Sequence, residues 1–258
     1  MNSRATFEEL VAEGDSVPVE GWDFSWLAGR ATEQRPSWGY ARKLVARLPA
    51  TQSALDIQTG GGEVFAEVLA QVADPPGVLA ATESWPPNAE IARRNLRPFG
   101  VSVVEVDDED DLPFPAESFE LVISRHPTYP LWEEIARVLR RGGTYVSQQV
   151  GAGSNRELID FLMGPQPVAQ ARSAQRARAE AEEAGLEVVD LRQEALPAAF
   201  NDIGAVVYFL RKVFWTVPGF SVDGYRERLK LLHDQIEREG PFITHAQRLL
   251  IEARKPPP

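Results

Sequence analysis

The stretch with the most chemistry in it is residues 54–65, ALDIQTGGGEVF. An apolar run ends in an acid, Asp56, and three glycines follow at 60–62. A helical pattern opens at Glu63. Glycines tolerate positive φ and let the backbone close on a ligand. The helix start behind them offers N–H groups that have no partner within the helix. A dinucleotide fingerprint would need a small residue at its last position; counted from Gly60 that position is Phe65, so the fingerprint fails. A glycine-rich turn that is only a turn is the plain alternative. A second reactive group stands at Ser124–Pro130, SRHPTYP. His126 in it carries an imidazole, which titrates near neutrality.

These residues need elements to position them. Residues 5–13 and 36–49 read as helices, the second with Pro36 near its first turn and Leu44, Val45 and Leu48 at helical spacing. The segment between them is rich in Trp and Arg and has no regular period. A regular alternation then begins: strands at 53–57, 77–82, 101–106, 119–124 and 144–150, with helices at 63–72, 88–96 and 131–139. Strands alternating with helices of about ten residues predict a parallel sheet covered on both faces. Beyond residue 150 the pattern loosens: helices at 156–163 and 168–183, a strand at 186–191, an apolar helix at 202–215, an amphipathic helix at 222–239 and a last strand at 247–253 that returns antiparallel. The expected organisation is an N-terminal helical cap over 1–50, a core over 51–194, a helical insertion over 195–240 and a final core strand within 241–258. In open α/β sheets, ligands bind at the C-terminal edge of the strands, and the two helical segments are expected to cover that edge.

The chain has 258 residues, a length suited to one large domain or two small ones, and ordinary globular proportions of 43% hydrophobic and 25% charged residues. It has no cysteine, which excludes disulfides, thiolate metal sites and a cysteine nucleophile. No metal is expected. The N-terminal residues are acidic and lack the apolar core of a signal peptide, and no apolar run approaches the length of a membrane span. A cytoplasmic protein without membrane partners is expected, as monomer or homodimer. The net charge of −11 disfavours nucleic acid. The acidity is largely local, however: residues 101–120 hold eight acids and no Lys or Arg, leaving only −3 to the rest of the chain.

Asp56, Gly60 and Gly62 resemble the first motif of the class I S-adenosylmethionine-dependent methyltransferases, close to their broad small-molecule type 11 group. Thr59–Glu63 is a common variant of that motif, and Gln58 departs from it by standing where the family usually has its first glycine. The resemblance implies a Rossmann-like, seven-stranded, mostly parallel sheet of order 3-2-1-4-5-7-6 with the last strand antiparallel. It implies S-adenosyl-L-methionine as cofactor and S-adenosyl-L-homocysteine as product. It places Thr59, Gly60, Gly61 and Gly62 against the cofactor and Glu83, at the end of the second strand, on the ribose hydroxyls. A carboxylate suits that task because it accepts several hydrogen bonds. Trp85 would stack on adenine, Asp108 would accept from the adenine amino group, and the backbone of Glu109 would contact the ring. Arg125, Arg35 and the neighbouring Arg30 are placed toward the cofactor; Arg35 and Arg30 would pair with its carboxylate in fork geometry. WEEIARVLRRGG at 132–143 is similar to the family's helix and glycine turn before its fifth strand.

The family sets acceptor-side residues just after the fourth strand, here 124–130. His126 is the candidate base and Tyr129 a candidate for orienting the acceptor. The Asn- or Asp-Pro-Pro-aromatic motif of enzymes that methylate nucleic-acid amines is missing there. The expected acceptor is the hydroxyl or amine of a small molecule, a secondary metabolite by preference. An RNA methyltransferase and a catalytically silent cofactor-binding scaffold or regulator are the alternatives.

Overall fold

The structure, a computed structural model, describes residues 5–19 and 21–257. In chain order the elements are α1 (Phe7–Ser16), β1 (Ala31–Glu33), α2 (Tyr40–Arg47), β2 (Ser53–Ile57), α3 (Glu63–Leu69), β3 (Val78–Glu83), α4 (Pro86–Leu96), β4 (Ser102–Glu105), β5 (Phe119–Arg125), α5 (Trp132–Val138), β6 (Leu139–Val150), α6 (Arg156–Met163), α7 (Ala174–Glu183), β7 (Glu187–Phe200), α8 (Ile203–Lys212), α9 (Val222–Glu239) and β8 (Phe242–Arg254). The hydrogen-bonded strand order is β1-β7-β8-β6-β5-β2-β3-β4. Without β1 this is the expected seven-strand order. The eighth strand is three residues long and runs antiparallel to β7, Ala31 opposite Phe200.

The chain divides into two compact units. One joins 36–152, 170–194 and 248–257. Its central strand β2, SALDI, is buried at every position and pairs in parallel with β3 and β5. A strand covered on both faces reads as a continuous apolar run, which is why no alternation marks it in the sequence. Successive residues feed opposite faces. Ala54, Ala81, Ile123 and Val146 enter one core with Trp38, Leu44 and Phe65. Leu55, Ala80, Val122 and Tyr145 enter the other with Trp132 and Ile135. β6 pairs antiparallel with β8, Thr144 opposite Arg254 and Val150 opposite Arg248.

The other unit joins 5–35, 153–169 and 195–247. Its core is Val11, Leu158, Ile203, Val206, Leu210, Leu229, Leu232 and their neighbours. α1 starts on a capping box, Thr6 with Glu9, and α8 and α9 start on Asp202 and Ser221, whose side chains accept from Ala205 and Gly224 N–H.

Several expected boundaries shift. The strand expected at 186–191 runs from Glu187 to Phe200, through the charged Arg192–Glu194 and through Pro197. Pro197 cannot donate, but its carbonyl accepts from Gln34 N at 3.0 Å. The last strand begins at Phe242, not at 247. The helix expected from 168 begins only at Ala174, because Ser173 caps it by accepting from Arg176 N. β6 starts five residues early and carries a register shift opposite Phe119/Leu121, with Gly142 at φ +78°. Among the described residues no helix is long and apolar enough to cross a membrane.

Candidate active site

β2 delivers Asp56 to the end of the sheet, buried. Thr59 Oγ1 donates to Asp56 Oδ2 at 2.6 Å, which bends the chain back on itself as the turn begins. The turn is also tied to β3: Thr59 N donates to the Thr82 carbonyl at 2.9 Å and Gln58 N to Thr82 Oγ1 at 3.2 Å. Gly60 and Gly62 take φ of +65° and +75°. At Gly62 a Cβ would also stand 2.8 Å from Leu96 Cγ, so both backbone angle and packing require glycine. Gly61 carries a third bond, its carbonyl accepting from Asn95 Nδ2 at 2.9 Å.

Glu83 ends β3, buried. Its Oε2 accepts from Gly60 N at 2.8 Å and its Oε1 from Trp85 N at 3.1 Å. One carboxylate thus joins the glycine turn to the start of α4. Each of its oxygens keeps lone-pair capacity for a further donor. Asn88, buried beside it, has an Oδ1 with no donor in reach. Burial pushes the Asp56 carboxyl up to about 7, Glu83 adding to the effect while Thr59 and Arg125 oppose it. Burial also raises Glu83, against the bonds from Trp85, Gly60 and Asn88, and Asp108 raises it further. Asp56 therefore feels Glu83, and Glu83 feels Asp108, as carboxylates at one end of a sheet do. Trp85 and Glu109 are exposed on the segments that follow β3 and β4.

Gln58 stands at φ +55°, the left-handed region that the family's glycine would favour. Its side-chain amide bonds the other loop of the site. Thr128 N donates to Gln58 Oε1 at 2.6 Å, and Gln58 Nε2 donates to the Tyr129 carbonyl at 3.1 Å. The departure from the motif thus supplies a clamp between the glycine turn and residues 128–129.

β5 brings Arg125 and His126 to the same edge. His126, also at positive φ (+55°), donates its N–H to the Gln148 carbonyl at 2.6 Å. Its ring Nε2 is 3.1 Å from Gln148 Nε2. Burial, then the guanidinium groups of Arg125, Arg248 and Arg172, hold its pKa well below the usual imidazole value. Beneath it lies a buried polar set. Tyr40 OH donates to the Ser124 carbonyl at 2.9 Å, and Ser124 Oγ contacts Tyr145 OH at 2.7 Å and Ser147 Oγ at 2.8 Å. Tyr129 is exposed, and its carbonyl accepts from Gln58 rather than from this set.

The structure thus brings together Asp56, Thr59, Gly60, Gly61, Gly62 and Glu83, with Trp85 and Asp108 adjoining them and Arg125 acting on both Asp56 and His126. Arg35 belongs to the other unit and is exposed. Arg30, in that same unit, pairs with Asp202 at 2.8 Å and Glu13 at 2.8 Å and covers the Trp26 ring, so its partners are local acids. His233 is buried against Phe7 and His245 pairs with Glu157 at 2.6 Å, both within that unit. Sequence reasoning missed Trp38, Gln148, Arg172 and Arg248 as parts of the site. The signal for one of them was weak: Gln148 and Gln149 are two adjacent amides in a strand expected to be covered on both faces.

Residues 55–147 match the family model described as a methyltransferase domain. No curated protein matches the chain. Among solved structures the fold is similar to the YcgJ protein from Bacillus subtilis, at 17% identity over 85% of this chain and 99% of that one, with a TM-score of 0.59. It is similar to geranyl diphosphate methyltransferase in complex with S-adenosylmethionine, at 15% identity over 83% and 84% of the two chains, TM-score 0.50. It is also similar to the cyclase SpnF, at 20% identity over 87% and 85%, TM-score 0.51. At these identities the likeness shows the fold. A cyclase among the three means that the fold does not by itself name an activity; the match over 55–147 does.

Proposed function

We propose that this chain, an S-adenosylmethionine-dependent methyltransferase by its domain at residues 55–147, transfers the methyl group to a hydroxyl or amine of a small molecule, a secondary metabolite in our reading. The observation that carries the cofactor side is the bond of 2.8 Å from Gly60 N to Glu83 Oε2, which fixes a buried carboxylate against a glycine turn. The donor set fits the cofactor. Glu83 has acceptor capacity left for the two ribose hydroxyls, and the positive φ of Gly60 and Gly62 brings bare backbone to the ligand side. Trp85 offers a ring face to adenine, and Asp108 with the backbone of Glu109 would meet the adenine edge.

When bound, the sulfonium supplies an electrophilic methyl group. The chain's task is to align acceptor and methyl for an in-line displacement and to keep water out. The segment 124–130 supplies the acceptor side, with Tyr129 orienting the nucleophile and His126 facing the acceptor. Two observations support a small acceptor: residues 124–130 lack the Pro-Pro-aromatic motif, and a protein of this fold takes geranyl diphosphate.

Calorimetric titration with S-adenosylhomocysteine tests the cofactor side. Micromolar binding is expected, weakened about tenfold or more by Glu83→Gln, since that variant loses charge-assisted bonds. No heat at millimolar ligand would overturn the reading.

A further inference from the structure

The register of the sheet gathers four cationic or titratable side chains that lie far apart in sequence. Arg125 and His126 close β5, with Arg125 opposite Gln148 of β6. Two residues further along β6, Val150 lies opposite Arg248 of β8. Two residues beyond that, Ala152 N donates to the Arg172 carbonyl at 3.0 Å. The register thus brings three arginines from three separate segments to the strand end that carries His126, and each opposes protonation of its imidazole. Arg248 is buried, which is costly for a cation.

The imidazole's proton can be placed as well. Trp38 Nε1–H can only donate, and it stands 2.9 Å from Gln148 Oε1. That fixes the amide: Gln148 Nε2 is the end that faces His126, and an NH2 group can only donate. His126 Nε2 is therefore the acceptor, and the ring proton sits on Nδ1. A neutral imidazole whose Nε2 lone pair is already engaged is a poor proton acceptor, but its Nδ1–H is a directional donor.

We propose that the acceptor carries an oxyanion, a carboxylate or a phosphate ester. Arg125, Arg172 and Arg248 receive it, His126 donates to it through Nδ1–H, and Trp38 and Gln148 are positioning residues that set that tautomer. His126 then acts as a binding group in place of the base expected from the sequence. The proposal rests on the methyl-transfer reading for what becomes of the bound molecule, while the capture of an anion stands apart from it.

The test is a titration of the imidazole nitrogens by NMR on 15N-labelled protein, with His126→Asn assigning the signal and S-adenosylhomocysteine binding followed separately by calorimetry. In the wild type the His126 signal should show the Nδ1–H tautomer. With S-adenosylhomocysteine saturating, added inorganic phosphate or acetate should shift that signal and raise the His126 pKa by about one unit, as an anion among cations must. Arg172→Gln, a change at an exposed side chain, should weaken the phosphate response about tenfold, and Gln148→Leu should lose the tautomer preference. Phosphate moving the signal and acetate not would mark a phosphate ester; the reverse would mark a carboxylate. Three results overturn the proposal: an Nε2–H tautomer in the wild type, no response to either anion at tens of millimolar, or S-adenosylhomocysteine itself raising the pKa and excluding phosphate, which would assign the cluster to the cofactor's carboxylate. Should the variants fail to fold, the wild-type titration decides alone. Absent S-adenosylhomocysteine binding with an intact anion response would sink the cofactor reading and leave the anion site.

Discussion

Gln58 carries two opposing effects in one side chain. A non-glycine residue at positive φ costs about 1 kcal/mol or more, while its two amide bonds to 128–129 return about 1 kcal/mol each. Gln58→Ala keeps the strain and loses both bonds. The Thr128 amide should then exchange its hydrogen about five- to tenfold faster, read by hydrogen-exchange mass spectrometry or NMR; an unchanged rate would mean the clamp holds nothing. Asp56 gives a pH signature. Its folded pKa, raised by burial from the ordinary aspartate range to about 7, means that the folded chain binds this proton more tightly than the unfolded chain does. Its contribution to stability is therefore lost as pH rises from about 4 to 7, and levels off above. Asp56→Asn should lack that loss, so variant minus wild-type unfolding free energy should grow across that window in urea titrations; a flat difference would mean the carboxylate is ionised throughout. The glycine turn and Glu83 were legible in the sequence because the signal is local, an acid and glycines at short spacing. Trp38 and Gln148 were not. They are 110 positions apart, and only the pairing of β5 with β6 and the packing of Trp38 against them give the pair meaning.

Among the elements, α1 and α8 meet through glycine. A Cβ on Gly204 would stand 2.6 Å from the Leu10 carbonyl, and one on Gly14 would collide with the Gly204 backbone. Backbone cannot yield as a flexible side chain can. Gly204→Ala should cost about 2–3 kcal/mol or more, seen as an earlier unfolding midpoint in denaturant; a loss under about 0.5 kcal/mol would show that the helices slide apart freely. The alternating strands and helices of 53–150 could be read from sequence, since burial imposes apolar runs and caps end them. The full extent of β7 could not. Arg192–Glu194 and Pro197 are residues a lone strand avoids; Arg192 pairs with Asp190 of the same strand, while Glu194 and Pro197 are accommodated by partners far away in sequence, Glu194 accepting from Ser37 and Pro197 from Gln34. The three-residue β1 carries almost no local signal, and exists because Phe200, Ala199 and Ala198 present an edge to it.

For the molecule as a whole, charge is the coarsest discriminator. With a net −11, and eight of its 38 acids clustered between 101 and 120, the chain should not bind a single-stranded RNA of about 20 nucleotides at 0.15 M salt in a fluorescence-anisotropy titration. Submicromolar binding that weakens steeply with added salt would reinstate the RNA alternative. Ligand linkage gives the complementary measurement: S-adenosylhomocysteine at 100 times its Kd should stabilise the fold by about 2.7 kcal/mol, visible as a raised melting temperature that Glu83→Gln reduces at equal ligand concentration.

The threading of the chain through its two units sets a schedule for synthesis. Each unit is assembled from three separated segments, and each draws on residues beyond 240. Until Phe242–Arg254 is made, β6 exposes an edge that only β8 fills. Translation runs at about 5–20 residues per second, so the stretch from Val150 to Phe242 takes about 5–20 s, and through that interval the strand edge stands open to pairing with other chains. A fragment ending at Gly240 should therefore accumulate as aggregate, and Phe242–Arg254 should be the segment whose arrival completes the sheet.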